Sequence, residues 1–283
     1  MNIVEIIKGI ADAITLTDVI ICLPGIIIFG IWVAKQSFGK TSLADSSPRR
    51  HNMPVHMTFA PLLLCYITVP VVILIKDKLF PSLPEWKSVF IDSISLLVGT
   101  IAAIAVISLI VKKYFVRGFK NFGLNLKTIH KDFLAAIVNL LCIWPFVLLM
   151  FIFTLFLGRL ISGPNFQIQQ HEELQLITSH SQLSLRILII VITCLVMPVF
   201  EEMLFRGLFQ TMVYSVLLKP WGSILITAAL FAIIHTNAPH WPALFALGIC
   251  LGYSYEKSNS LLRPIFIHSI FNTISITAAL YSG

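Results

Sequence analysis

The sequence predicts an all-α protein, a polytopic transmembrane helical bundle of about eight spans. Three observations carry that expectation. Hydrophobic residues make up 57% of the 283 residues and charged residues only 12%, about half of the roughly 25% charge that soluble domains carry. The apolar stretches are continuous rather than alternating, so they read as helices and not as barrel strands. Several stretches approach the roughly 20 residues that a helix needs to cross a bilayer.

Taken in order, the apolar runs place spans at 17–34, 58–75, 88–111, 133–157, 187–205, 222–238, 242–255 and 264–280. Before the first span, Glu5 precedes Lys8 and no basic stretch leads into a small-residue cleavage site, so the first run is expected to be retained rather than removed as a signal peptide. Of the 20 Lys and Arg residues, 14 fall in 35–57, 112–132, 206–221 and 256–263, and 6 in the other connections and the N-terminal tail. The positive-inside rule puts the first set in the cytoplasm and both termini outside. This bias also accounts for the net charge of +7 without nucleic acid, since basic and aromatic residues are not interleaved. The segment 36–57 is polar and turn-rich and reads as a cytoplasmic loop. The segment 163–183, with Glu172 and Glu173 beside Leu174, Leu176 and Ile177, reads as an amphipathic external element. The five cysteines all lie in apolar runs with no CxxC pair and read as small packing hydrophobes. The chain divides into an accessory region, 1–123, and a core, 124–283.

Function is suggested by ionisable groups inside the most apolar part of the chain. Ionised side chains are costly there, by roughly 2.5–3.5 kcal/mol on insertion scales, and mark functional sites. Pro198-Val-Phe-Glu201-Glu202-Met-Leu-Phe-Arg206-Gly207 holds two glutamates and an arginine. Phe231-Ala-Ile-Ile-His235 and His268-Ser-Ile-Phe-Asn272 place imidazoles in separate apolar runs. Glu202 and Arg206 share a helix face and suit an ion pair. Glu201 lies about 100° away around the helix and is left for chemistry. Helix spacing puts Phe231 with His235 and His268 with Asn272. An imidazole beside a carboxylate activates water, and a second imidazole with an amide stabilises an oxyanion. The same residue types, Glu201, His235 and His268, equally suit a divalent metal such as zinc, and spacing does not choose between a metal and none. A lone intramembrane Glu or His is more often a packing residue; the joint set is much harder to read that way. Two other classes use similar parts: a proton-coupled transporter, whose inverted repeats are absent, and a non-catalytic immunity or scaffold protein. His51, His56, His130, His171, His180 and His240 sit at loops or ends and are expected to be solvated. Asp92, near a span start, reads as interfacial.

Pro198 is expected to disturb its helix three residues before Glu201. If that helix stopped at 205, Glu201 would lie near the surface and far from His235, so a helix continuing to about 217 is favoured. Gly248 and Gly252 form a small-xxx-small face for close helix packing.

From about Leu124 to Asn272 the chain resembles the CPBP family, the CAAX prenyl protease and bacteriocin-processing group also called Abi. The carriers are the Glu-Glu-xxx-Arg, Phe-xxx-His and His-xxx-Asn motifs above, together with Leu247-Gly-Ile-Cys-Leu-Gly-Tyr253. The resemblance implies a CAAX-protease-like helical core and an intramembrane endopeptidase acting on peptide or protein substrates at the membrane, prenylated or not. Glu201 and His235 would activate water, His268 and Asn272 would bind the oxyanion, and Glu202 and Arg206 would support them. The family label is metalloendopeptidase, though a metal-free glutamate mechanism is also held for it. An integral, multi-pass protein of the bacterial plasma membrane is expected.

Overall fold

A computed structural model describes residues 16–36, 41–169, 172–235 and 237–282. The fold is 82% helical, with no strand among the described residues; a single antiparallel bridge joins His51 to Phe115. The helices are α1 (Leu16–Lys35), α2 (Ala60–Leu79), α3 (Glu85–Tyr114), α4 (Ile129–Ser162), the short α5 (Glu172–Ser179), α6 (Leu183–Leu217), α7 (Pro220–Ile233), α8 (Trp241–Ser258) and α9 (Leu262–Ser282). Each of the eight expected spans overlaps one of the longer helices, although 222–238 runs past the end of α7 at Ile233. Four helices, Ala60–Leu79, Glu85–Tyr114, Leu126–Ser162 and Leu183–Leu217, are long and apolar enough to cross a membrane, and Ile20–Lys35 and Pro220–Ile233 are shorter apolar helices. The chain is a multi-pass integral membrane protein. Leu74, Val98, Ile161 and Leu195 project outward from the bundle, as side chains facing lipid do.

The centre of the bundle is α6, which packs against α3, α7, α8 and α9, while α8 also packs on α4. The periphery holds α1 on α4 and α2 on α3. Sequence punctuation accounts for the helix ends. Proline opens α7 at Pro220, where a missing N–H costs nothing. Leu218 and Asn259, both at positive φ, close α6 and α8. At the foot of α4, buried Asp132 accepts from Arg263 Nε and Nη2 at 3.2 and 3.1 Å and from Ser260 Oγ at 2.7 Å, locking α4 to the start of α9. Gly123, at φ 94°, lets its carbonyl accept from Leu261 N–H at 2.8 Å; a Cβ there would sit 2.8 Å from that nitrogen.

Two expectations change. The loop 36–57 is not simply solvated, because Ser42 and Arg49 are buried. Arg49 Nη1 lies 3.1 Å from both carboxylate oxygens of Glu256, Nη2 donates to the Tyr255 carbonyl at 3.1 Å, and the guanidinium stacks 3.5 Å over the Tyr255 ring. A cation with a buried anion and an aromatic face within reach is drawn out of water. His180 and His240 are buried rather than solvated. Their rings meet backbone carbonyls, Leu176 at 3.1 Å and Gln169 at 2.9 Å, which replace the hydrogen bonds lost to water. His56 and His130 are exposed as expected, and His171 lies outside the described residues. Asp92 pairs with Lys76 at 2.6 Å.

Candidate active site

The site is built on α6, and Pro198 is the key to its local geometry. The helix continues past the proline to Leu217, so Glu201 lies near its middle. Continuity is kept by two wide-turn stretches, Ile192–Val196 and Met203–Gln210, on either side of Met197–Glu202. In the first, Met197 N–H bonds to the Ile192 carbonyl, five residues back. The next position in that register is Pro198, which has no N–H for the Thr193 carbonyl. Asn272 Nδ2 supplies the missing hydrogen at 2.9 Å from α9. Wide turns of this kind are frequent at functional sites, and here they rotate the carboxylates relative to a regular helix.

Glu202 and Arg206 are both fully buried, with Nη1 to Oε1 at 2.7 Å. Arg206 Nη2 donates to the Gly248 carbonyl at 3.3 Å, and its guanidinium lies 4.5 Å over the Phe231 ring. His268 Nδ1 is 2.9 Å from the same Glu202 oxygen. A carboxylate only accepts, so Nδ1 carries the hydrogen. His268 Nε2 then faces Glu201 Oε2 at 3.7 Å, too long for a direct hydrogen bond.

Glu201 keeps 16% of its side chain open and lines a cavity of about 200 Å³ with Tyr66, Glu173 and His235 among aromatic and aliphatic walls. His235 differs from the expectation of a helical Phe231–His235 pair. The helix stops at Ile233, and His235 folds back so that Nδ1 donates to the Phe231 carbonyl at 2.7 Å. That bond satisfies a carbonyl left open at the helix end. It fixes the tautomer and leaves Nε2 with a lone pair. Trp241 Nε1 holds the His235 carbonyl at 2.7 Å. The Phe231 ring packs on both histidines, at 4.9 Å from His235 and 5.7 Å from His268.

The structure therefore brings Glu201 and His235 to one cavity, and His268 to Glu201 and Glu202. Neither His268 nor Asn272 lines that cavity, and Asn272 binds backbone instead. Among the described residues no group of three His, Cys, Asp or Glu side chains is placed to hold a metal ion. The trio Glu201, His235 and His268 thus does not fit a metal in this arrangement.

Three features escaped the sequence reading. Glu202, Arg206 and Gln210 descend one face of α6 in steps of four, opposite Gly248, Gly252 and Glu256 on α8. Gln210 Nε2 donates to the Gly252 carbonyl at 3.1 Å and to Glu256 Oε1 at 2.8 Å. A Cβ on Gly252 would lie 2.6 Å from Gln210 Oε1, so the small-xxx-small face serves this polar seam. The fourfold spacing in both helices was the available signal. Tyr66 reaches the cavity from α2, with no signal of its own. Glu173 reaches it from α5. That residue is exposed, yet its carboxyl lies among protein atoms; burial, and then the Glu201 carboxylate, hold it above the usual carboxylate range.

Residues 183–274 match the family described as type II CAAX prenyl endopeptidase, Rce1-like. All six site residues fall within the matched stretch, which begins at 183 rather than near Leu124. The chain is also 27% identical over 89 residues, 31% of its length, to "Putative membrane peptidase YdiL" of Bacillus subtilis (strain 168). That match covers 36% of the relative, so the chain spans about a third of the length of the curated protein it matches. No solved structure matches.

Proposed function

We propose that the protein is an intramembrane endopeptidase that hydrolyses peptide bonds with a water activated by Glu201 and His235. The observation that carries this reading is their shared cavity, set against the closed Glu202–Arg206–His268 network beside it. A water between the Glu201 carboxylate and the His235 Nε2 lone pair attacks the peptide carbonyl carbon. Glu201 takes its proton and passes it to the departing amine. Arg206 is buried, binds Glu202 and the Gly248 carbonyl through Nη1 and Nη2, and holds the network rather than the substrate.

His268 and Asn272 are proposed to stabilise the oxyanion. His268 Nδ1 is committed to Glu202, so a donor at Nε2 requires the doubly protonated ring. Asn272 Nδ2 has two hydrogens and gives one to Thr193. Alignment of both donors with substrate would follow binding, as catalytic hydrogen bonds often tighten only in the complex.

The test compares peptides released from membranes containing wild-type or Glu201→Gln protein. New peptide ends dependent on Glu201 are expected. Identical peptide profiles from the two membranes would overturn the proposal.

A further inference from the structure

We propose that the cavity beside Glu201 is a subsite for a cationic substrate side chain, lysine or arginine, with Glu173 as its counter-ion. This rests on the proposed peptidase reading and adds the substrate class. Two carboxylates, Glu173 and Glu201, line the cavity, and no Lys or Arg is among the described residues that do so. The nearest guanidinium of the site, Arg206, is fully buried and bound to Glu202. The field in the cavity is therefore negative, and no Lys or Arg of its lining balances it. Lining side chains of low polarity around it strengthen such a field.

Size and wall chemistry fit the same occupant. The cavity is about 200 Å³, below the roughly 300–1,000 Å³ of clefts for whole small-molecule ligands. A space of this size takes a few waters or one long side chain. The rings of Tyr66, Phe200 and Phe205 form part of the wall. Aromatic faces attract ammonium and guanidinium groups, and the aliphatic stem of a lysine or arginine suits the remaining apolar lining. A free carboxyl terminus brought into this space would meet two like charges.

Glu173 is the specificity-determining member because Glu201 has another task. Its place on α5 puts selectivity on the connection before α6, outside the stretch that carries the catalytic motifs. Leu174 and Ile177 are buried under the same short helix and hold Glu173 at the cavity.

The test profiles cleavage by purified full-length protein on a proteome-derived peptide library. Wild type should enrich Lys or Arg at one position near the cut bond. Glu173→Gln should reduce that enrichment about tenfold, and Glu173→Lys should move it to Asp or Glu. A wild-type profile indifferent to charge, or one unchanged by Glu173→Lys, would overturn the inference while leaving the peptidase reading in place. Cleavage that persists in Glu201→Gln would strike the peptidase reading instead. A second measurement needs no turnover. With Tyr66→Cys protein, a cationic methanethiosulfonate should react faster than an anionic one by about tenfold or more, and Glu173→Gln should shrink that ratio. Equal rates for the two reagents would overturn the inference.

Discussion

Replacing Arg206 by methionine tests how the site is held together. The variant keeps a long side chain but removes the partner of Glu202, whose side chain is fully buried. It also removes the 3.3 Å bond to the Gly248 carbonyl. Breaking a buried pair from one side typically costs about 3–5 kcal/mol, because the surviving charge stays buried without compensation. That is a shift of about two to four powers of ten in the folded-to-unfolded ratio, at about 1.4 kcal/mol per tenfold. For a chain of this size it corresponds to a fall of roughly 6–20 °C in Tm, at about 2–4 °C per kcal/mol. His268 cannot replace the guanidinium fully, since it already donates to the same Glu202 oxygen at 2.9 Å. The double variant Glu202→Gln/Arg206→Met removes both charges, which is commonly far less costly than removing one. The assay is thermal unfolding of detergent-solubilised protein, with cleavage measured alongside. Arg206→Met should melt well below wild type, the double variant should recover at least half of the loss, and both should be inactive. An Arg206→Met protein that melts with wild type, or a double variant less stable than Arg206→Met, would refute the reasoning.

Asn272→Leu should cost about 1–3 kcal/mol by leaving the Thr193 carbonyl without a hydrogen, and adding Pro198→Ala, which restores an N–H in that register, should return part of it; no rescue in the melting temperature would break the link. Gly252→Ala should lower Tm by displacing Gln210 from Glu256, at about 1–3 kcal/mol for overpacking, and a neutral result would remove the polar seam from the account. Burial, opposed by the Gln169 carbonyl, holds the His240 imidazole below its ordinary value of 6.5. The unfolded chain therefore binds that proton more readily, so this stability is present above about pH 6.5 and lost as pH falls below it. His240→Phe should flatten the dependence of Tm on pH between about 7.5 and 5.5; an unchanged slope would show that His240 does not carry it.

Continuous apolar runs made the eight longer helices among the described residues legible, because burial in lipid is written in composition alone. The motifs gave the Glu202–Arg206 pair, since an i,i+4 relation survives the wide turns that follow Pro198. The same periodicity put Phe231 with His235, whose rings do meet at 4.9 Å, but it did not show that the helix ends at Ile233 and that His235 bonds back to the Phe231 carbonyl. Asn272 was read only as pointing to the chemistry; its bond to the Thr193 carbonyl, left open by a proline 74 positions earlier, has no local signal. Arg49 and Glu256 looked like loop charges because their pairing spans 207 residues, and no local pattern encodes such a contact. Glu173 was visible only as one of several polar residues in an external segment. Its approach to Glu201 depends on how α5 folds back over the bundle.

The central claim is that Glu201 performs chemistry while Glu202 holds structure. The measurement that tests it most directly is cleavage by purified Glu201→Gln protein beside its thermal transition. The account predicts a melting temperature close to wild type, because the Glu202–Arg206–His268 contacts stay intact, together with loss of peptide cleavage by at least about a hundredfold, the lower range for a positioned general base. Cleavage at the wild-type rate by a folded Glu201→Gln protein would contradict it.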